Sequence, residues 1–375
     1  MKKRCLLFFV FIVVMVISGC AESRIVEKLG FAHSIAFDLN DSRKSEDDDI
    51  LIQTVEMPQI TETAESQREV LTVTANTSKE AMMKIAKKSD RQIVSGQLRT
   101  VLIGESLARL GIADTLDTLF RDHEIGLNVI VITVKGSAKQ LLDVDYKEHP
   151  RTSRYIYEMI KNDKKIQTSV DTTIHHFVRD YYDDGIDPIT PLLKKSGNDV
   201  EVDGIALFRD DQFVEHISWK ESRVFLMLHE DYTGGNLTID VNLQGETKER
   251  YTYMTFNTIS SKRKITVDNS KTPRRVRIDL KVSGTIDEYT GGLDLTDDHI
   301  QKEIEKKLEE HIKNVAETIV KKLQANKVDS LGIGQYVRNS LSYKEWKKLN
   351  WREEFPNVEI EINVKSDIKN FGMVK

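Results

Sequence analysis

Residues 296–323, TDDHIQKEIEKKLEEHIKNVAETIVKKL, decide the fold class of this chain. Ile300, Ile304, Leu308, Ile312, Val315, Ile319 and Leu323 recur at spacings of three and four, which gives a helix one narrow apolar stripe. Thr296-Asp297-Asp298 opens the helix and Lys321-Lys322 lie near its end, matching the helix dipole. At about 1.5 Å per residue it is roughly 40 Å long. A stripe this narrow suits packing against a sheet; a membrane surface or a coiled coil is the alternative use. The flanks supply the sheet. From Leu237 to Val282 the chain reads as strand after strand, with turns expected at Gly245, Asp268-Asn269 and Gly284. In the last strand Val358, Ile360, Ile362 and Val364 alternate with polar neighbours. The class is α+β, multi-domain, with mixed β-sheets flanked by helices and the long amphipathic helix packed on the C-terminal sheet.

Upstream, strands are expected over 31–37, 50–57, 71–75, 97–103 and 127–134, the last a Val/Ile-rich run of buried character. Helices are expected from a Ser78 N-cap to about Lys88, over 105–110 and 113–121, and from Gly136-Ser137 to Leu142. This alternation points to an α/β layer with a mixed sheet. The acidic connection Asp38–Asp49 lacks the spaced ligands and central glycine of a calcium loop and reads as a solvated hairpin loop. Residues 150–191 read as mostly helical. Asp187-Pro188-Ile189-Thr190-Pro191 and the polar stretch 194–200 mark the main boundary. A tight hairpin follows, Gly204–Phe208, then Arg209-Asp210-Asp211, then Phe213-Val214. The division is therefore 1–19, 20–198 and 199–375, with a small middle subdomain at about 199–235 as a variant.

The amino terminus sets the address. Lys2, Lys3 and Arg4 precede an apolar run from Leu6 to Ile17, too short to span a bilayer, where a helix needs about 20 residues. Ile17-Ser18-Gly19-Cys20 follows, a signal peptide ending in the pattern of a bacterial lipobox. In that chemistry Cys20 receives a diacylglyceryl group and becomes the first residue, and acyl chains hold it to the membrane. The alternative is an ordinary secretory signal that contains a cysteine. Cys5 leaves with the signal and Cys20 goes to lipid, so no disulfide forms within one mature chain. The formal charge is −5 and the signal carries +3, leaving about −8, which argues against nucleic acid as a partner.

Catalytic motifs are missing. His175-His176 lies near Asp171 and Asp180 but lacks the spacing of a zinc site, and a surface role is the simpler reading. There is no G-x-S-x-G elbow, P-loop or G-x-G-x-x-G. Leu331-Gly332-Ile333-Gly334 reads as a helix stop rather than a phosphate cradle. No cofactor is expected. The stretch from Lys262-Arg263-Lys264 to Arg274-Arg275-Val276-Arg277 is basic. On a strand Arg275, Arg277 and Lys281 share one face while Val276, Ile278, Leu280 and Val282 turn to the core. Its uses are a solvated sheet face or, through Arg274, Arg275 and Arg277, contact with anionic lipid or an acidic partner.

Several segments, taken in order, resemble one family. They are Arg99–Glu105, Leu107–Gly111, Phe120-Arg121-Asp122, Gly204–Phe208 with its Arg-Asp-Asp turn, Glu221-Ser222-Arg223, Gly292–Asp297, Tyr343–Trp346, Asn350-Trp351 and Phe355-Pro356. Together they are similar to the Ger(x)C family, the lipoprotein C subunits of spore germinant receptors in endospore-forming Firmicutes. The resemblance runs from the lipobox to the carboxyl end. It implies a non-enzymatic subunit built from α+β domains, lipidated at Cys20, on the outer face of the spore inner membrane. It also implies membrane-embedded A and B subunits as partners, with germinant recognition on those subunits. Where the family often has Phe-Gly-Phe-Gly after the long helix, this chain has Leu331-Gly332-Ile333-Gly334. The readings from other classes are a solute-binding lipoprotein feeding an importer, which predicts two similar lobes around a cleft, and a surface hydrolase.

Overall fold

The structure, a computed structural model, describes residues 28–45, 48–60, 66–144, 146, 149, 151–241, 243 and 252–370. The signal segment, Cys20 and the turn expected at Gly245 lie outside these residues. In the first half, β1 (Leu29–Phe31) pairs in parallel with β5 (Gln92–Val94). The other strands form one mixed eight-stranded sheet: β2 (Ser34–Leu39), β3 (Leu51–Ile60), β4 (Ser66–Ala75), β6 (Thr100–Gly104), β7 (Ile130–Lys135), β8 (Ile189–Ser196), β9 (Asp199–Arg209) and β10 (Gln212–Ser218). Their spatial order is β10-β9-β8-β7-β6-β2-β3-β4. Helices cover both faces. On one, α1 (Ser78–Ala86), α2 (Glu105–Leu110), α3 (Ala113–Phe120) and α6 (Ile174–Tyr182) pack on Phe37, Val55, Val101 and Val131. On the other, α4 (Ala138–Asp143) and α5 (Thr152–Lys165) pack on Ala36, Leu102, Ile130 and Ile132. Burial on both faces is why β7 is apolar at every position from Ile130 to Val134 except the buried Thr133.

The second half follows from the long helix. α7 (Ser222–His229) leads into β11 (Asn236–Asp240), β12 (Tyr253–Asp268) and β13 (Arg275–Tyr289). Then come α8 (Asp298–Ala325), α9 (Ile333–Asn339), α10 (Tyr343–Lys348), α11 (Trp351–Glu354) and β14 (Glu359–Asn370). The four strands make a sheet in chain order, antiparallel except for the parallel pair β13–β14. Asp297 caps α8, its carboxylate accepting the His299 N–H. The expected stripe is buried at Ile304, Leu308, Ile312, Ile319 and Leu323, against Val276, Ile278, Leu280 and Val282 of the sheet. The sheet occupies the stripe, and α7 packs into the same core through Val224, Phe225 and Leu228.

The large sheet runs through residue 198: β8 continues into β9 and β10, and Ile205, Leu207 and Ile217 join the same core as α8. The prolines that resembled a linker open a strand. Pro191 lies just before β8 begins to pair with β7 at Leu192, where a missing N–H breaks no ladder bond on that side. Thr77, not Ser78, caps α1 by accepting the Glu80 N–H. Gly284 is not a turn but sits within β13 at a register shift, where a Cβ would meet the Asn257 carbonyl oxygen at 2.1 Å.

Candidate functional site

The two halves meet at a groove of about 520 Å³, lined by the segment after α6 and by residues 346–355. Its first side is acidic. Asp183, Asp184 and Asp187 follow α6, and Asp210 sits in the β9–β10 turn with φ of 56°. Its second side brings cations from the C-terminal segment. Arg338 binds both oxygens of Asp183, at 2.7 and 3.3 Å, and Lys347 reaches Asp184 at 2.7 Å. Arg352 spans Asp210 (2.7 Å) and Asp187 (3.2 Å). Burial works against the Asp183 charge, yet Arg338 and the Gly185 N–H hold its carboxyl below the usual range. Lys347 does the same for Asp184.

Asp329 lies beneath the groove, 2% exposed, just past α8. Its carboxylate accepts the Ile333 N–H (3.0 Å), the Gly334 N–H (2.6 Å) and the Trp351 indole N–H (2.9 Å). Burial nevertheless pushes its pKa up to about 7. Asp187 is also raised by burial. Backbones touch here: a Cβ on Gly185 would come within 2.6 Å of the Gln335 nitrogen, and one on Gly334 within 2.4 Å of Trp351 Nε1. Trp346, Trp351 and Phe355 pack in series as tilted rings, 6.2 and 5.7 Å between centres. The groove is therefore a clasp. Its aspartates Asp183, Asp184, Asp187 and Asp210 are ion-paired to Arg338, Lys347 and Arg352, which fixes the first half against the last helices.

Sequence reasoning found part of this. Leu331-Gly332-Ile333-Gly334 does not end the long helix, which stops at Ala325 with Asn326 as its C-cap; Gly332, with φ of 69°, instead starts α9. Trp346, Trp351 and Phe355 were singled out only as a pattern. Asp187 and Asp329 were missed, because each is an ordinary polar residue until its distant partner is known. His175 and His176 lie exposed on α6. Among the described residues no group of three or more His, Cys, Asp or Glu is placed to hold a metal.

The expected arginines go separate ways. Arg274 turns inward to Glu354 at 2.7 Å, its side chain only 15% exposed. Arg275 stays on the open sheet face in a two-point contact with Glu359, at 2.9 and 3.1 Å. Arg277 lies there too, 3.9 Å from Asp279.

The fold and clasp define a class of protein: two unlike α+β halves joined by buried acids and a tryptophan-bearing segment. Two family models match it end to end, a spore germination protein N-terminal domain over residues 22–195 and a spore germination B3/GerAC-like C-terminal domain over 203–372. The chain belongs to the Ger(x)C family of spore germination proteins. Spore germination protein GerQC of Bacillus cereus is 24% identical over 374 residues, covering 100% of both chains. Spore germination protein B3 of Bacillus subtilis (strain 168) is 23% identical over 394 aligned positions, again covering 100% of each. The crystal structure of the GerBC protein has the same fold, with a TM-score of 0.60 at 17% identity, covering 88% of this chain and 96% of that one.

Proposed function

We propose that this chain is the lipid-anchored, non-catalytic C subunit of a spore germinant receptor. It is required for nutrient-triggered germination and works by assembling with membrane-embedded A and B subunits. Acyl chains on Cys20 hold it to the outer face of the spore inner membrane, the cell membrane of the sporulating bacterium. The observation that carries this reading is the match to germination proteins along the chain, including relatives aligned over their whole length. The lipobox supports the anchor, and no helix among the described residues is long and apolar enough to cross a membrane. A solute-binding lipoprotein would need two similar lobes. Here an eight-stranded sheet faces a four-stranded one, and ion pairs close the groove between them.

Replacing Cys20 by Ala tests the proposal in sporulating cells. The chain should leave the membrane fraction, and the germination response to nutrients should fall. Full membrane retention with a normal response would refute the anchor. Release with a normal response would refute the need for it.

A further inference from the structure

The open face of the C-terminal sheet carries a row of lysines that the sequence alone does not show. Pairing places Lys262 of β12 opposite Lys281 of β13, and Lys281 opposite Lys365 of β14. All three are exposed, on the face away from α8. Neighbouring strands lie about 4.8 Å apart, and like charges directly opposite one another destabilise a sheet. Lys264 stands one rung away, beside Asp279 and Asn363. These side chains surround a shallow depression of about 420 Å³. None of the four lysines has a carboxylate within 4 Å among the described residues.

Most acids of this face have other partners, and Glu361 lies opposite Arg277, away from the lysines. Asp279 accepts from Asn363 at 3.1 Å and lies beside Arg277, while Glu359 holds Arg275. Asp367, on the rung beyond the lysines, pairs with Lys369 at 2.7 Å. Asp367 also feels Lys281 and Lys365, yet none of the four lysines is ion-paired among the described residues, so the face divides into a neutralised arginine end and a lysine end with positive charge in excess. Ammonium groups are point charges with rotatable donors, suited to phosphate oxygens in many orientations.

We propose that the Lys262–Lys281–Lys365 row, with Lys264, is a contact site for the phosphates of anionic phospholipid headgroups. The occupant is a membrane rather than a free anion for two reasons. The face is broad and open, with cations spread across three strands. The anchor at Cys20 would also hold it at high effective concentration beside a bilayer. The second reason rests on the anchoring proposed above.

The test uses the full lipidated chain in vesicles of phosphatidylcholine, with and without one-third phosphatidylglycerol. Amines are acetylated and quantified by mass spectrometry, with Lys306 on α8 as the reference. Acetylation of Lys262, Lys281 and Lys365 should slow about fivefold or more on the anionic vesicles. High salt should reverse the effect, and Lys306 should not change. In the triple variant K262Q/K281Q/K365Q, Lys264 should lose its protection. Equal labelling on both vesicles overturns the proposal. So does equal protection by inorganic phosphate on neutral vesicles, which would make this a free-anion site. Flotation with neutral vesicles reports the anchor separately, so its failure is not mistaken for failure of the lysine row.

Discussion

Asp187 and Asp329, 142 residues apart, are tied by two reciprocal hydrogen bonds. The Asp187 N–H donates to the Asp329 carbonyl at 3.0 Å, and the Asp329 N–H donates to the Asp187 carboxylate at 2.7 Å. Asp187 then holds Arg352, and Asp329 holds Trp351 and the start of α9. The large sheet, the end of α8 and the terminal helices thus converge on two carboxylates. This pair holds the two halves in fixed relation.

Truncating Asp187 should loosen that relation. Asp187→Ala leaves the buried Asp329 N–H without an acceptor and Arg352 with one carboxylate fewer, at a cost of about 2–4 kcal/mol. Asp187→Asn keeps an acceptor and should cost about 1 kcal/mol. Urea unfolding of both variants checks the ranking, and equal midpoints would count against the clasp.

The raised pKa of Asp329 carries a signed prediction. In the folded chain this group keeps its proton up to about pH 7, whereas its ordinary value is 3.8. Between those limits the folded state binds more protons. The contribution is fully present below the ordinary value and is lost as pH rises through 7. Asp329→Asn removes it, so the parent's stability relative to the variant should fall between pH 4 and pH 7.5. The ceiling is about 1.4 kcal/mol per pH unit. A constant difference across that range would show that Asp329 does not titrate there.

What the sequence revealed depended on how local the cause was. The α8 stripe and the β7 run were legible because periodicity and burial act within a few turns or one strand. The hairpin at Arg209-Asp210-Asp211 was legible from its turn chemistry. Pro188 and Pro191 punctuate a loop and a strand start alike, and only the partner strands show that here they introduce β8. The basic stretch was visible as charge. That Arg274 meets Glu354 while Lys281 meets Lys365 is set by register between strands far apart in sequence. Asp329 meets Ile333 and Gly334 locally, but the partners that set its place in the clasp, Asp187 and Trp351, are distant in sequence.

Gly334 should tolerate no side chain. A Cβ there would also lie 2.9 Å from the Gly185 Cα, so neither neighbour can yield without moving backbone or a buried ring. Gly334→Ala should destabilise by about 1–3 kcal/mol through overpacking and should displace the Trp351 ring. Trp351→Phe, which retains the ring but not the indole donor, should cost about 1–3 kcal/mol through the lost bond to Asp329. Tryptophan fluorescence with thermal unfolding would read both. An unshifted spectrum and melting point in Gly334→Ala would contradict the close approach.

The outer edge of β14 needs protection, because an unpaired edge strand is a template for another chain. Two glutamates of α8 supply it. Glu309 accepts the Ser366 N–H at 2.8 Å, and Glu305 accepts the Ile368 N–H at 3.2 Å. The helix that fills the core therefore also blocks the sheet edge with carboxylates spaced four apart. The double variant Glu305→Ala/Glu309→Ala should lose about 1 kcal/mol per hydrogen bond and associate more readily than the parent as concentration rises. Glu305→Gln/Glu309→Gln keeps the acceptors without the charge and should stay close to the parent. Light scattering across a concentration series separates the cases. If the alanine pair scatters like the parent, the edge is guarded by something other than these two side chains.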